Sequence, residues 1–263
     1  MIDWASAKQA PGAGLALVQK LAGMFDFIYA IGGSEMTRKA LPAFGFVEYA
    51  RLWSGARPIR PVRQILTHQD RNWKLAPRFV RNSLWAFPKQ ARRSLVKSWR
   101  SEEIEPTKIL EDLYSSGASD AHFSPRSPAF FSYLLRCPLL RVELHGIREG
   151  GDLKGHFALG VLRGQARVAG VWLRDPNRQA WEAAFGLAQE VARGIEGACE
   201  IVAIGTDGAS EVGAARSGLR IVGHTPVYLL NKKAKLQLPP DFQFQLSDDD
   251  EFFLDLGNYS YWT

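Results

Sequence analysis

The chain has 263 residues, 46% apolar and 23% charged, which suits a globular protein of two modest domains or one large one. It lacks any apolar run of about 18 residues and any signal-type stretch after Met1, so no spanning helix is predicted and the cytoplasm is the expected compartment. Two cysteines, Cys137 and Cys199, and five scattered histidines offer no disulfide framework and no metal-ligand spacing. The net charge of +6 is uneven: residues 1–110 hold 18 Lys/Arg and 8 Asp/Glu, whereas 51–100 hold 13 basic residues and one acid, Asp70.

Met1 to Ser6 reads as a short strand. Gln9-Ala10-Pro11-Gly12-Ala13-Gly14 follows as a glycine turn, and a helix from Gly14 to Met24 carries Leu15, Val18, Leu21 and Ala22 on one face. Such a turn exposes unpartnered N–H groups at a helix start, where the dipole favours an anion. Phe25 to Ile31 is β-prone and closed by Gly32-Gly33. Ser34 is a good N-cap for a helix from Glu35 to about Ala43, which Pro42 and Gly45 end. Phe46 to Trp53 alternates as a strand.

Residues 56–104 interleave basic side chains with Trp73, Phe79, Trp85, Phe87 and Trp99, and prolines cut them into short helices. From about 106 a second unit begins, with helices over Thr107–Ser115 and Pro128–Leu135. Strands over Leu140–Arg148, Leu153–Leu162 and Gln165–Leu173 form a meander joined at Gly150-Gly151-Asp152 and Arg163-Gly164. A helix over about Pro176–Ile195, a strand over Glu200–Ile204, a helix over Ala209–Ser217 and a strand over Arg220–Leu230 complete it. Pro226 marks a bulge or edge in that last strand. The tail is acidic at Asp248-Asp249-Asp250-Glu251 and then aromatic; it reads as a cover for a sheet edge.

Residues 1–55 and 165–230 share one order: strand, helix, strand, turn, helix, strand. Their second helices end alike, in Ala43-Phe44-Gly45-Phe46 and Arg216-Ser217-Gly218-Leu219. An internal duplication is predicted.

These residues resemble the GNAT acyltransferase superfamily, whose members use acyl-CoA. Gln9-Ala10-Pro11-Gly12-Ala13-Gly14 matches the acyl-donor motif Gln/Arg-x-x-Gly-x-Gly/Ala. Gly32-Gly33-Ser34 and Phe44-Gly45-Phe46 fit the pattern downstream. The resemblance implies an α/β fold with mixed twisted sheets of the acyl-CoA N-acyltransferase type, as two GNAT-like units joined by a basic connector. Its divisions are a partial first unit over 1–57 (the donor half), the connector over 58–105, a second unit over 106–238 and the tail over 239–263. It also implies that Gln9, Ala10, Gly12, Ala13 and Gly14 hold the pyrophosphate of acetyl-CoA or another acyl-CoA. Phe27–Ile31 would flank the pantetheine arm.

The sequence departs from the family pattern in three ways. Only about eight residues precede the motif, where the family has further strands, so a start upstream of Met1 is one reading. Leu41 stands where many members have a tyrosine acid, and Ala214 stands there in the second unit. Asp3 is the carboxylate placed to act as a base. The second unit reads Arg174-Asp175-Pro176-Asn177-Arg178-Gln179-Ala180 at its motif position, without paired glycines, and Asp175 or Asn177 there suits an N-cap rather than a phosphate ligand.

The expected activity is transfer of an acyl group to an amine, hydroxyl or saccharide acceptor. The alternative is a catalytically inactive binding protein that engages an anionic partner or membrane surface through residues 57–100, placing it at the membrane periphery. In the plainer reading those charges partly pair with the acidic tail. Nucleic acid is not the expected partner. The shortened first unit is expected to dock on the second or to dimerise. Glu143 and His145 should share a strand face, and His145 and His156 fall on adjacent strands.

Overall fold

The computed structural model describes residues 13–67, 73–87, 98–109, 126–206, 208–232, 238–239, 242–248, 252 and 261–263. Chain order gives α1 (Ala13–Met24), β1 (Phe27–Ile31), α2 (Glu35–Ala40), β2 (Val47–Pro58), α3 (Pro61–Leu66), α4 (Leu75–Ala86) and β3 (Trp99–Glu103). There follow α5 (Pro106–Ile109), α6 (Pro128–Leu135), β4 (Arg141–Glu149), β5 (Asp152–Leu162) and β6 (Gln165–Leu173). Last come α7 (Arg178–Gly194), β7 (Glu200–Thr206), α8 (Ala209–Ser217) and β8 (Arg220–Asn231). The predicted strand over Met1–Ser6 lies outside the described residues.

The fold is α/β with a mixed sheet. All eight strands join it, in the order β1-β8-β2-β7-β6-β5-β4-β3. Neighbours are antiparallel except β6 and β7, which the helix α7 connects as a parallel pair. Two strands depart most from the sequence reading. β2 runs on to Pro58, because Leu52, Trp53 and Ala56 are buried between strands on both sides. β3 falls in the segment read as connector; Trp99, only 7% exposed, anchors it beside β4.

The residues read in sequence as two units share this one sheet. β8 is paired on one side by β1 and on the other by β2, while β2 lies between β8 and β7. The β2–β8 ladder is symmetric about the Leu52–Thr225 pair: Arg51 faces Pro226 and Trp53 faces His224, while Val47 faces Leu229 and Ala56 faces Arg220. Its two register shifts, at Glu48/Ala50 and Ser54/Gly55, sit at equivalent places. A constant offset of 173 positions relates the halves (Phe27 to Glu200, Gly45 to Gly218) and carries the β1–β8 register onto that of β7–β2.

The same offset relates the turns before β2 and β8. Gly45 and Gly218 both take left-handed φ, +84° and +95°, where a side chain would be strained. Phe46 N donates to Leu41 O at 3.2 Å, and Leu219 N donates to Ala214 O at 3.0 Å. Leu41 and Ala214, the positions of the expected tyrosine, are both fully buried and serve packing.

The basic segment uses several of its charges inside the fold. Arg60 donates to the carbonyls of Arg193, Ile195 and Ala198, which end α7. Buried Arg57 reaches Gln189 at 2.6 Å and the carbonyl of Phe87 at the end of α4. Arg78 meets the tail through the carbonyls of Tyr261 and Thr263, whereas Asp248 pairs with Arg126 at 2.5 Å. Gln64 and Thr67 also meet the tail, at the hydroxyls of Thr263 (2.6 Å) and Tyr261 (2.7 Å), whereas Asp249, Asp250 and Glu251 lie outside the described residues. The tail covers a face of the sheet: Phe252 is fully buried in the main core, and Phe244 packs against Tyr29 and Tyr49.

Candidate functional site

The first candidate site lies at the start of α1. Val18 is buried with Leu41, Phe46, Tyr228 and Leu230, which fixes the helix on the sheet. Only Phe25 and Asp26 separate α1 from β1, so the chain reverses and the start of α1 lies near the end of β1. At that end Gly32 and Gly33 take φ of +68° and +92°. Ser34 then caps α2, its Oγ accepting from Thr37 N at 3.2 Å.

Of the residues singled out in sequence, Ala13 and Gly14 form the first turn of α1; Ala13 is exposed and Gly14 half-buried. That turn holds no carboxylate to occupy the positive end of the dipole. Gln9, Ala10, Gly12 and Asp3 lie outside the described residues.

At the start of α7 the open N–H groups have a partner. Asn177 caps α7, its Oδ1 accepting from Gln179 N and Ala180 N at 3.0 Å each. β6 and β7 pair over Gln165–Val168 and Glu200–Ala203 and then part. The chain's own tail fills the opening. Gln245 Oε1 accepts from Val171 N at 2.8 Å, and its Nε2 donates to Val171 O at 2.5 Å. Thr206 Oγ1 donates to Phe242 O and accepts from Phe244 N, both at 2.9 Å. Gly170 makes room, because a Cβ there would lie 2.3 Å from Gln245 Oε1.

The histidines do not meet. Register places His145 opposite Phe157 and His156 opposite Gly146, so the two rings point to opposite faces. Glu143 and His145 do share a face, 3.3 Å apart, and His145 stacks on Phe157. His156 stacks on Trp172 and meets Phe131 edge-on. Burial, with a lesser contribution from Arg126, pushes its pKa down to about 3, so the ring is neutral. It lines a cavity of about 20 Å³ with Arg126, Phe131, Trp172, Gln243 and Gln245, room for a water rather than a substrate.

Sequence reasoning missed Glu200. It is fully buried and accepts from Gln165 Nε2 (2.7 Å), Trp262 N (2.9 Å), Thr263 N (3.1 Å), Thr263 Oγ1 (2.7 Å) and Gln64 Nε2 (3.3 Å). Burial pushes its carboxyl above the usual range, and the hydrogen bonds oppose that without cancelling it. These donors come from α3, β6 and the tail, so Glu200 ties the tail to the sheet. No periodicity marks such a residue: it sits at the start of an apolar strand and reads as a solvated terminus. Among the described residues no group of three or more His, Cys, Asp or Glu could hold a metal ion, and no helix is long and apolar enough to cross a membrane.

No protein-family model matches the sequence, and no curated protein matches it. Solved structures do resemble it. A GCN5-related N-acetyltransferase from Anabaena variabilis is 12% identical with a TM-score of 0.48, over 84% of this chain and 51% of that one. Another from Sphaerobacter thermophilus is 12% identical with a TM-score of 0.49, over 82% of this chain and 64% of that one. N-myristoyltransferase of Saccharomyces cerevisiae, solved with bound myristoyl-CoA and inhibitors, is 10% identical with a TM-score of 0.49, over 86% and 57%. The chain thus spans about half the length of the first of these structures.

Proposed function

We propose that this chain is an acyl-CoA-dependent acyltransferase of the GNAT type, with its donor site in the first unit. The observation that supports this best is the 173-position duplication. It makes β1 the counterpart of β7, and α1, which leads into β1, the counterpart of α7. The offset holds for the strands and not for these helices, 12 and 17 residues long; by element order the start of α1 at Ala13 and Gly14 answers to the start of α7, where Asn177 uses up the open N–H groups. In the first unit the start of α1 has no capping carboxylate, and glycines stand at the turn.

In this reading the backbone amides of Ala10, Gly12, Ala13 and Gly14 hold the pyrophosphate, and Gln9 flanks it. The gap beyond β1 takes the pantetheine arm, as the gap beyond β7 takes an extended peptide. Asp3 accepts the proton that the acceptor amine or hydroxyl loses as it attacks the thioester carbonyl; the C–S bond then breaks, and the departing thiolate takes a proton from solvent to leave as CoA thiol. Holding the two reactants together supplies much of the rate, so Leu41 in place of a tyrosine is compatible with turnover.

Calorimetry with acetyl-CoA tests the donor site. Wild type should bind, and a Gly12→Val/Gly14→Val variant should bind at least about tenfold more weakly, since one lost charge-assisted hydrogen bond costs about 1.5–3 kcal/mol. Asp3→Asn should still bind but lose transfer to an amine acceptor. A folded sample that gives no heat at millimolar acetyl-CoA would leave the non-catalytic binding protein as the reading.

A further inference from the structure

Helices α3 and α4 bury two amide side chains and leave several large apolar ones exposed. Gln64 and Asn82 are each only 2% exposed. Asn82 Nδ2 donates to Gln64 Oε1 at 3.0 Å, and Gln64 Nε2 donates to Thr263 Oγ1 at 2.6 Å and onward to Glu200. On the outer side Val62 and Leu66 of α3 are exposed. So are Val80 and Leu84 of α4, with Trp73 just before it and Phe87 at its C-cap; Trp73 is 80% and Leu84 71% exposed. Val80 and Leu84, four apart, share one face of the helix, and the two aromatic residues flank its ends. A surface helix of a globular protein ordinarily shows the reverse arrangement.

Cations flank this apolar face. Arg63, Lys74 and Arg81 are exposed beside it, and no acid lies among the described residues between 58 and 101. Lys74 and Arg81 also line, with Pro77, Arg78, Trp262 and Thr263, an open cleft of about 470 Å³. An apolar face with an aromatic ring at each end and cations at its margin has the composition of an interfacial helix.

We propose that the α3–α4 face lies on an anionic lipid bilayer, its Trp73, Val80, Leu84 and Phe87 side chains entering the interface and Arg63, Lys74 and Arg81 meeting lipid phosphates. A second copy of the chain fits this face poorly, because an isologous contact would bring the same three cations together from both sides. The proposal is independent of acyl-CoA binding.

Sedimentation of the full chain with vesicles tests it, using pure phosphatidylcholine against mixtures with phosphatidylglycerol, at low and high salt. The expected result is binding to the anionic vesicles, at least about tenfold weaker on neutral ones and reduced by salt. Leu84→Ser/Phe87→Ser should lose binding while keeping the wild-type circular dichroism and melting curve, since both side chains point outward. Lys74→Glu/Arg81→Glu should lose the preference for anionic lipid. Absence of binding to anionic vesicles, or wild-type binding by Leu84→Ser/Phe87→Ser, would overturn the proposal. So would a concentration-dependent dimer that the same double variant abolishes.

Discussion

The side-chain amide of Gln245 makes with the backbone of Val171 the two hydrogen bonds that a neighbouring strand would make. Gly205 is bridged to the backbone of the same Gln245, so one tail residue spans the opening between β6 and β7. Gln245→Ala would leave a buried N–H and a buried C=O without partners, at about 1–3 kcal/mol for each. Gly170→Ala would drive a methyl into Gln245 Oε1 and should also destabilise, by about 1–3 kcal/mol. The two changes share one contact, so they should not add. In the Gln245→Ala background, Gly170→Ala should cost at least about 1 kcal/mol less. Urea unfolding of the four proteins in this cycle checks it, and strict additivity would mean that the tail does not hold this place.

His156 gives the fold an acid limit. Its pKa falls from 6.5 to about 3 on folding, so between those values the unfolded chain binds a proton that the folded chain does not. The sign follows: stability is complete above about 6.5 and declines as pH drops toward 3, by at most ~1.4 kcal/mol for each pH unit. Phe131 and Trp172 already give the ring an aromatic cage. His156→Phe should therefore be tolerated near neutral pH, within about 1.5 kcal/mol, and should flatten the decline between pH 6 and 4. Denaturant titrations across that range decide it; an unchanged decline would assign the acid sensitivity to other groups.

Local chemistry made much of this fold legible in the sequence. β6 (Gln165–Leu173) and α8 (Ala209–Ser217) have the predicted bounds, because turns and caps punctuate them at both ends. Of the two caps expected before α7, Asp175 and Asn177, it is Asn177 that serves, and the helix starts at Arg178 rather than Pro176. Ala43-Phe44-Gly45-Phe46 and Arg216-Ser217-Gly218-Leu219, alike in sequence, do lead into strands whose pairings repeat in register. What could not be read was pairing at a distance. Nothing local says that β2 enters between β7 and β8, since a buried strand reads the same whichever strands flank it. Gln64 and Asn82 are buried on helices that leave large apolar side chains exposed, so periodicity assigns the wrong face to the core. Of the candidate site only Ala13 and Gly14 are described, and their role rests on the motif and the duplication.

The interleaving of strands requires both halves to unfold together. Trp53 of β2 is fully buried over Gly55 and Gly205, edge-on to Phe185 of α7. Its Nε1 donates to Ser210 Oγ at 2.9 Å and to Thr206 O at 3.1 Å. Every one of these contacts except that with Gly55 joins the first segment to the second. Trp53→Ala would remove them and open a cavity, at a cost of about 3–5 kcal/mol. Because β2 and β8 lie side by side inside one sheet, that loss should lower a single transition rather than split one half from the other. Scanning calorimetry should show one peak for wild type, with van't Hoff and calorimetric enthalpies equal, and one peak at lower temperature for Trp53→Ala. Two transitions in wild type, or a Trp53→Ala protein that keeps its original melting temperature, would contradict the interleaving of strands between the halves.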